Sequence, residues 1–308
     1  MQGLPLARAF FESCLPILQE EMDIDKMAFG LAGEGSECFG FDDTLSMDHD
    51  FGASFCIWVS EQDYAEAVLH MEAVLARLPE TFMGYPSRMF THDPMHRRGL
   101  LSIERFYRHF LNLERAPLRI QEWLAIPEFQ LACATNGEVF MDALGRFSEI
   151  RSELLAYYPH ELWITKLAAS SMQMAQSGQY NFPRSLKRGD LVSAALAKNA
   201  FCKSALSFVA LINKRYLPFY KHAPRFVRNL PLLGSEVRAL LESLLLQDMD
   251  YGYDFIDHIE DFCENCQHML ESSFPLKRTG SWLWDYGPML MELVHDRDLR
   301  KCDLLHLR

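Results

Sequence analysis

Asp48 and Asp50 are separated by one residue and stand just before residues 51–59, "FGASFCIWV", a run rich in aromatic and apolar residues. In an extended chain alternate side chains project from one face. The two carboxylates are therefore expected side by side, with His49 pointing the other way. Two anions so placed repel each other unless a cation sits between them. Mg2+ suits the position, because it takes oxygen ligands, often one or two carboxylates plus substrate phosphates. Upstream, Gly35 and Ser36 close another short apolar run. Glycine lets a backbone approach a phosphate closely, and the serine hydroxyl and nearby N–H groups can donate to it. A phosphate-binding turn beside a metal-binding carboxylate pair is the minimum for phosphoryl or nucleotidyl transfer from a metal–nucleotide complex. The surrounding stretch, residues 33–52, holds four glycines and six acidic residues with no Lys or Arg, which an ordinary core segment would not carry.

The elements that must position these residues can be read from periodicity. Residues 5–22 have helical spacing, and "MAFGLAGEG" reads as a strand ending in a glycine turn. Residues 51–59 read as a buried strand. Residues 61–79 read as a helix with acidic residues early and Arg77 near its end, as the helix dipole prefers. Residues 99–111 read as a strand running into a helix, and 137–145 as a strand closed by a turn. From about residue 148 every segment is helical in pattern, with Pro and Gly stops between segments. The expectation is an α+β half over 1–147 followed by an all-helical bundle over 148–308.

With 308 residues and 49% apolar composition, the chain can build a sizeable core without disulfide staples. A net charge of −12 argues against a nucleic-acid-binding surface, which needs clustered Lys and Arg. Eight cysteines scattered mostly in apolar runs, with no secretory signal, read as reduced thiols in a cytoplasmic protein. No apolar run approaches the ~20 residues that span a bilayer, so no membrane partner is expected. Cys263 and Cys266 with His268 have a metal-like spacing, but they lie in a helical pattern without a second cysteine pair, which does not suit structural zinc. His92 and His96 flank a proline loop and do not read as a metal site. The acidic residues of 248–264 read as a solvated helix face. Asp42 and Asp43 fit either a hydrogen-bonded turn at Gly40 or a substrate-facing role.

Gly35-Ser36, eleven residues and then Asp48-His49-Asp50 resembles the Gly-Ser…Asp-x-Asp signature of the polymerase-β-like nucleotidyltransferases. A helical half after the catalytic half is similar to the kanamycin-nucleotidyltransferase type. More narrowly, "GEGSE", "GFDD", "DHDFG", "NGEVF", "YYP" and "RYLPFYKH" resemble the DUF4037 family over about residues 1–235. The resemblance implies a small mixed nucleotidyltransferase sheet. It also implies a third carboxylate from a later strand, for which Asp142, with Glu138 behind it, and Glu104 are the candidates. Cations of the helical half would hold the triphosphate, and Arg184, Arg188 and Lys221 are the choices.

The implied activity is Mg2+-dependent transfer of NMP from a nucleoside triphosphate, ATP by preference, to a hydroxyl of a small molecule or protein. Should no third carboxylate reach the site, the alternative is a nucleotide-binding sensor or interaction module that transfers nothing.

Overall fold

Every residue of β1 (Met27–Leu31) is buried, and β1 is hydrogen-bonded on both sides. The computed structural model describes residues 2–46, 51–90, 97–247 and 252–307. The fold is mixed α+β, mostly helical with a small sheet, and the chain divides into two units, Met1–Tyr157 and Tyr158–Arg308.

The first unit opens with α1 (Gly3–Glu21), which buries Leu6, Phe10, Phe11, Cys14 and Leu18 along one stripe. That helical spacing lays the stripe on one sheet face, where the Phe11 ring meets Phe29 at 5.2 Å and Phe55 at 5.6 Å. After β1 come β2 (Cys56–Val59), α2 (Tyr64–Arg77) and a hairpin of β3 (Thr81–Phe82) and β4 (Tyr85–Pro86). β5 (Gly99–Ser102) runs directly into α3 (Ile103–Leu111), whose first turn is capped by the Ser102 hydroxyl accepting from Arg105 N–H. α4 (Ile120–Ala125), α5 (Glu128–Thr135), β6 (Glu138–Asp142) and α6 (Arg146–Leu155) complete the unit. On the sheet's other face the Trp58 and Phe147 rings stack at 4.0 Å, with Phe106 edge-on to Trp58.

The sheet order is β5-β2-β1-β6. β1 is antiparallel to both neighbours, while β2 and β5 are parallel and joined through α2. Register decides which residues share an end. Gly30 pairs with Cys56, Leu31 with Glu138 and Cys56 with Gly99, so the start of β2, the start of β5 and Glu138 lie at the end where β1 enters its glycine turn. Met27 pairs with Val59, Ala28 with Asp142 and Val59 with Ser102, at the opposite end.

The run expected as one strand over 51–59 is split. Ala53 N–H donates to the Pro86 carbonyl and Arg88 N–H to the Ala53 carbonyl, so the first part pairs with the segment after β4, and only Cys56–Val59 joins the main sheet. The β3–β4 hairpin is an addition to the sequence reading. Its turn residues Met83 and Gly84 both have positive φ, 50° and 84°, as a two-residue hairpin turn of the primed type requires.

The second unit is helical. Its elements are α7 (His160–Met174), a π-helical stretch Ala175–Asn181, α8 (Phe182–Lys187), α9 (Leu191–Ile212), α10 (Ala223–Val227), α11 (Gly234–Leu246), α12 (Asp254–Ser273) and α13 (Tyr286–Met291). α7 packs against both α9 and α13. Within the π-helical stretch a Cβ on Gly178 would lie 2.4 Å from the Phe201 ring of α9. Next to it, the Gln179 amide donates to Glu260 of α12 and to the Ser281 carbonyl, and its oxygen accepts from Leu283 N–H. By length and composition α9 is long and apolar enough to cross a membrane, which corrects the expectation that no segment is; 56% of its most apolar window is buried within the fold. Lys198 and Lys203 interrupt the run in the sequence, and Lys198 folds back into the interior with its ammonium 5.1 Å from the Phe255 ring.

At Gly30 β6 approaches β1 closely. A Cβ there would lie 2.3 Å from the Glu138 carbonyl and 2.9 Å from the Trp58 ring. Gly30→Ala is expected to destabilise the protein by about 1–3 kcal/mol through overpacking, read by chemical denaturation. An unchanged midpoint would mean that β6 is not held this closely.

Candidate functional site

The turn after β1 is built on positive-φ glycines, with φ 114° at Gly33 and 120° at Gly35. Other side chains would be strained there. Asn136, between α5 and β6, clamps it: Gly33 N–H donates to Asn136 Oδ1 at 2.8 Å, and Asn136 Nδ2 donates to the Gly33 carbonyl at 2.7 Å. Ser36 then opens a short 3-10 turn, Glu37–Phe39, and its carbonyl accepts from Phe41 N–H at 2.8 Å. Cys38 inside this turn is buried, and burial pushes its thiol well above the ordinary range.

The anion nearest Gly35 belongs to the chain itself. A Cβ on Gly35 would lie 2.7 Å from a Glu37 carboxylate oxygen. Glu37 is ion-paired with Arg98, and the two side chains are only 19% and 14% exposed. Arg98 also donates to Ser54 Oγ at 2.9 Å and to the Arg97 carbonyl at 2.6 Å. Burial pulls the Arg98 guanidinium down to about 10, which leaves it cationic at neutral pH. Around the turn, Arg97 lies 3.4 Å and His109 3.8 Å from Glu34, and Arg8 of α1 pairs with Glu138.

Asp42 is 4% exposed, and its Oδ2 accepts from Gly3 N–H at 2.7 Å, the first residue of α1. The negative charge thus faces the positive end of a helix dipole. Its other oxygen is buried and has no hydrogen-bond partner among the described residues. Such an orphaned carboxylate oxygen is costly and suits a hard cation. Asp43 closes a local turn, accepting from Leu45 N–H at 3.0 Å and Ser46 N–H at 3.1 Å.

Gly35 and Ser36 lie together in the turn, but Asp48 and Asp50 are outside the described residues, as are His92, His96, Asp248 and Asp250. Phe51, the next described residue, has its ring 3.5 Å from where a Cβ on Gly3 would sit. Asp142 stands at the other end of the sheet, about 10 Å of strand away from Leu31. Both its oxygens are engaged, by Gly145 N–H at 2.8 Å and Ser148 N–H at 2.7 Å, at the start of α6. Glu104 is at that far end too: it accepts from Glu61 N–H at 2.9 Å and pairs with Arg146 at 2.9 Å. The carboxylate that β6 brings to the turn's end is Glu138.

Arg184, Arg188 and Lys221 belong to the second unit, and all three are exposed. Arg184 stacks over the Tyr180 ring at 4.7 Å, and Arg188 caps the end of α8. Lys221 lies between α9 and α10, next to His222, whose pKa is lowered by burial and then by the Lys221 charge. Cys263 and Cys266 face the core of that unit, fully buried, and His268 beside them is exposed and lies 3.8 Å from Glu264. Among the described residues no group of three or more His, Cys, Asp and Glu could hold a metal ion.

Residues 123–223 match the family model described as a domain of unknown function, DUF4037. This supports the DUF4037 family for that segment, about a third of the chain. The matched segment runs from α4 to the first residue of α10. It contains Asp142, Arg184, Arg188 and Lys221, while Gly35, Ser36, Asp48 and Asp50 lie upstream of it. No curated protein and no solved structure matches the chain.

Sequence reasoning passed over Asn136, Glu37 and Arg98. The adjacent Arg97 and Arg98 in an acidic chain were a signal for an ion pair, but the partner depends on the β2–β5 pairing. For Asp142, the bonds at the start of α6 make it a helix-starting residue. Asp142→Ala is expected to lower stability by about 1–2 kcal/mol in chemical denaturation and to leave ligand binding at the glycine turn unchanged. Lost ligand binding at full stability would contradict this placement.

Proposed function

We propose that this protein is a Mg2+-dependent nucleotidyltransferase, moving NMP from a nucleoside triphosphate, ATP by preference, to a hydroxyl of a small molecule or protein in the cytoplasm. The observation that carries the reading is the shared sheet end. The glycine turn that closes β1 and the segment that leads into β2 belong to the same end of an antiparallel pair. Asp48 and Asp50 fall in the sequence between the turn and β2. The nucleotidyltransferase-like signature, Gly35-Ser36 with Asp48-His49-Asp50, adds to it.

In this reading Asp48 and Asp50 hold Mg2+, and the orphaned oxygen of Asp42 supports a cation in the neighbourhood. The metal would neutralise phosphate charge and lower the pKa of the acceptor hydroxyl. The chain's own part is to bind and orient. Backbone N–H groups of the turn and the Ser36 hydroxyl donate to phosphate oxygens, and Asn136 keeps the turn preorganised. Arg98 offsets Glu37, which would otherwise repel a phosphate at Gly35. Arg184, Arg188 and Lys221 are assigned to the triphosphate on the resemblance alone.

A second reading, a nucleotide-binding sensor without turnover, is favoured by one observation: Asp142 and Glu104, the candidates for a proton-accepting third carboxylate, are both engaged at the far end of the sheet. Glu138 is the remaining candidate from a strand. Calorimetry with Mg-ATP and a pyrophosphate-release assay separate the cases. Asp48→Asn with Asp50→Asn is expected to abolish Mg-dependent ATP binding while leaving the metal-free protein at least as stable, because a carboxylate repulsion is relieved. Equal Mg-ATP binding by the double variant would remove these residues from the site. Binding without pyrophosphate release over a broad set of nucleotides and acceptors would establish the sensor.

A further inference from the structure

One cavity in the first unit is walled by basic side chains although the chain as a whole is acidic. It is about 480 Å³ and lies along α3, over the edge strand β5 and beside Tyr64 at the start of α2. Arg105, Arg108 and His109 line it, and among the described residues no Asp or Glu does. In a protein of net charge −12 that is an unusual wall. Positions 105, 108, 109 and 112 repeat at helical spacing, so these side chains share one face of α3. Leu101, Phe106 and Phe110 supply apolar surface to the same cavity.

The two arginines have carboxylate partners that stand outside the cavity wall. Arg105 pairs with Glu61 and Arg108 with Glu114, and in both pairs the side chains are between 43% and 57% exposed. Ion pairs so exposed contribute little and exchange readily. Arg105 is also held over the Tyr64 ring, 4.7 Å from its centroid, which orders the guanidinium at the rim. Guanidinium stays charged throughout the physiological range and presents a planar fork that matches carboxylate, sulfate and phosphate oxygens. The volume is that of a small-molecule pocket, with apolar walls and a few convergent polar groups.

We propose that this cleft binds a small organic anion with an apolar body, its acidic group on Arg105 and Arg108 and its apolar part against Leu101 and Phe106. None of its lining residues belongs to the glycine turn, although the turn adjoins it: His109 lies 3.8 Å from Glu34, and the rings of Phe106 and Phe110 pack beside Gly33. The test uses the full chain and two fluorescent probes of similar shape, anilinonaphthalene sulfonate and the uncharged phenylnaphthylamine. The sulfonate should bind more tightly than the neutral probe and weaken as salt is raised. Arg105→Gln with Arg108→Gln should weaken the sulfonate at least tenfold and leave the neutral probe unchanged. Arg105→Lys with Arg108→Lys should keep only part of the affinity, because the charge remains while the planar fork is lost, and Glu61→Gln with Glu114→Gln should raise it by freeing both guanidinium groups. All these positions are on the surface, and circular dichroism confirms that each variant is folded. Sulfonate binding that is unchanged in the glutamine variant, or that falls equally for both probes, would overturn the proposal.

Discussion

The placement of β1 between two antiparallel neighbours is the constraint from which the first unit follows. Five consecutive buried residues leave the strand no solvent face, so both of its faces must be covered. The aromatic stripe of α1 covers one, and the Trp58–Phe147–Phe106 group covers the other. Because the strand period is two, a slip of one residue would exchange these faces. Gly30 permits β6 to come close, and the register that results brings Glu138 to one end of the sheet and Asp142 to the other.

That register also brings compensating groups to Glu34, Glu37 and Asp42. The compensating charges come from elsewhere in the chain. Arg98 neutralises Glu37, Arg97 lies by Glu34, and the start of α1 faces Asp42. The Glu37–Arg98 pair is mostly buried, and removing one member of such a pair leaves the other charge uncompensated, which is far costlier than losing a surface contact. The turn is therefore tied down by these pairs on one side and by Asn136 on the other. Preorganised donors of this kind suit phosphate recognition because little ordering cost remains at binding.

In the helical unit the same chemical spacing takes a different meaning. Cys263 and Cys266, three residues apart on α12, point into the core together with Phe255, Ile259 and Phe262. Burial raises both thiols well above their ordinary range, so they behave as small apolar side chains. The π-helical stretch after α7 shows a comparable dependence on packing. Gly178 lets Phe201 close against it, and Gln179 ties the stretch to α12 and to the segment before α13.

Much of this was open to the sequence alone. Helical spacing located α1, α2, α11 and α12, each of which buries a stripe that repeats with the helix period, whereas α7 is buried nearly all round. The short apolar runs located β1, β5 and β6, and Gly33 and Gly35 announced a turn that only positive φ could make. What the sequence could not decide was pairing. That β6 runs antiparallel to β1 is a matter of which strands meet across more than a hundred residues, and nothing local to Asp142 encodes it. Asp142 and Glu138 sit on one five-residue strand, and the direction of that strand alone sends the first to the start of α6 and the second to the glycine turn. The partner of Glu37 was hidden for the same reason, since Arg98 reaches it only once β5 has been laid beside β2. Local pattern determined the elements and their buried faces; long-range register, set by which buried faces fit together, decided which charged residues share a site.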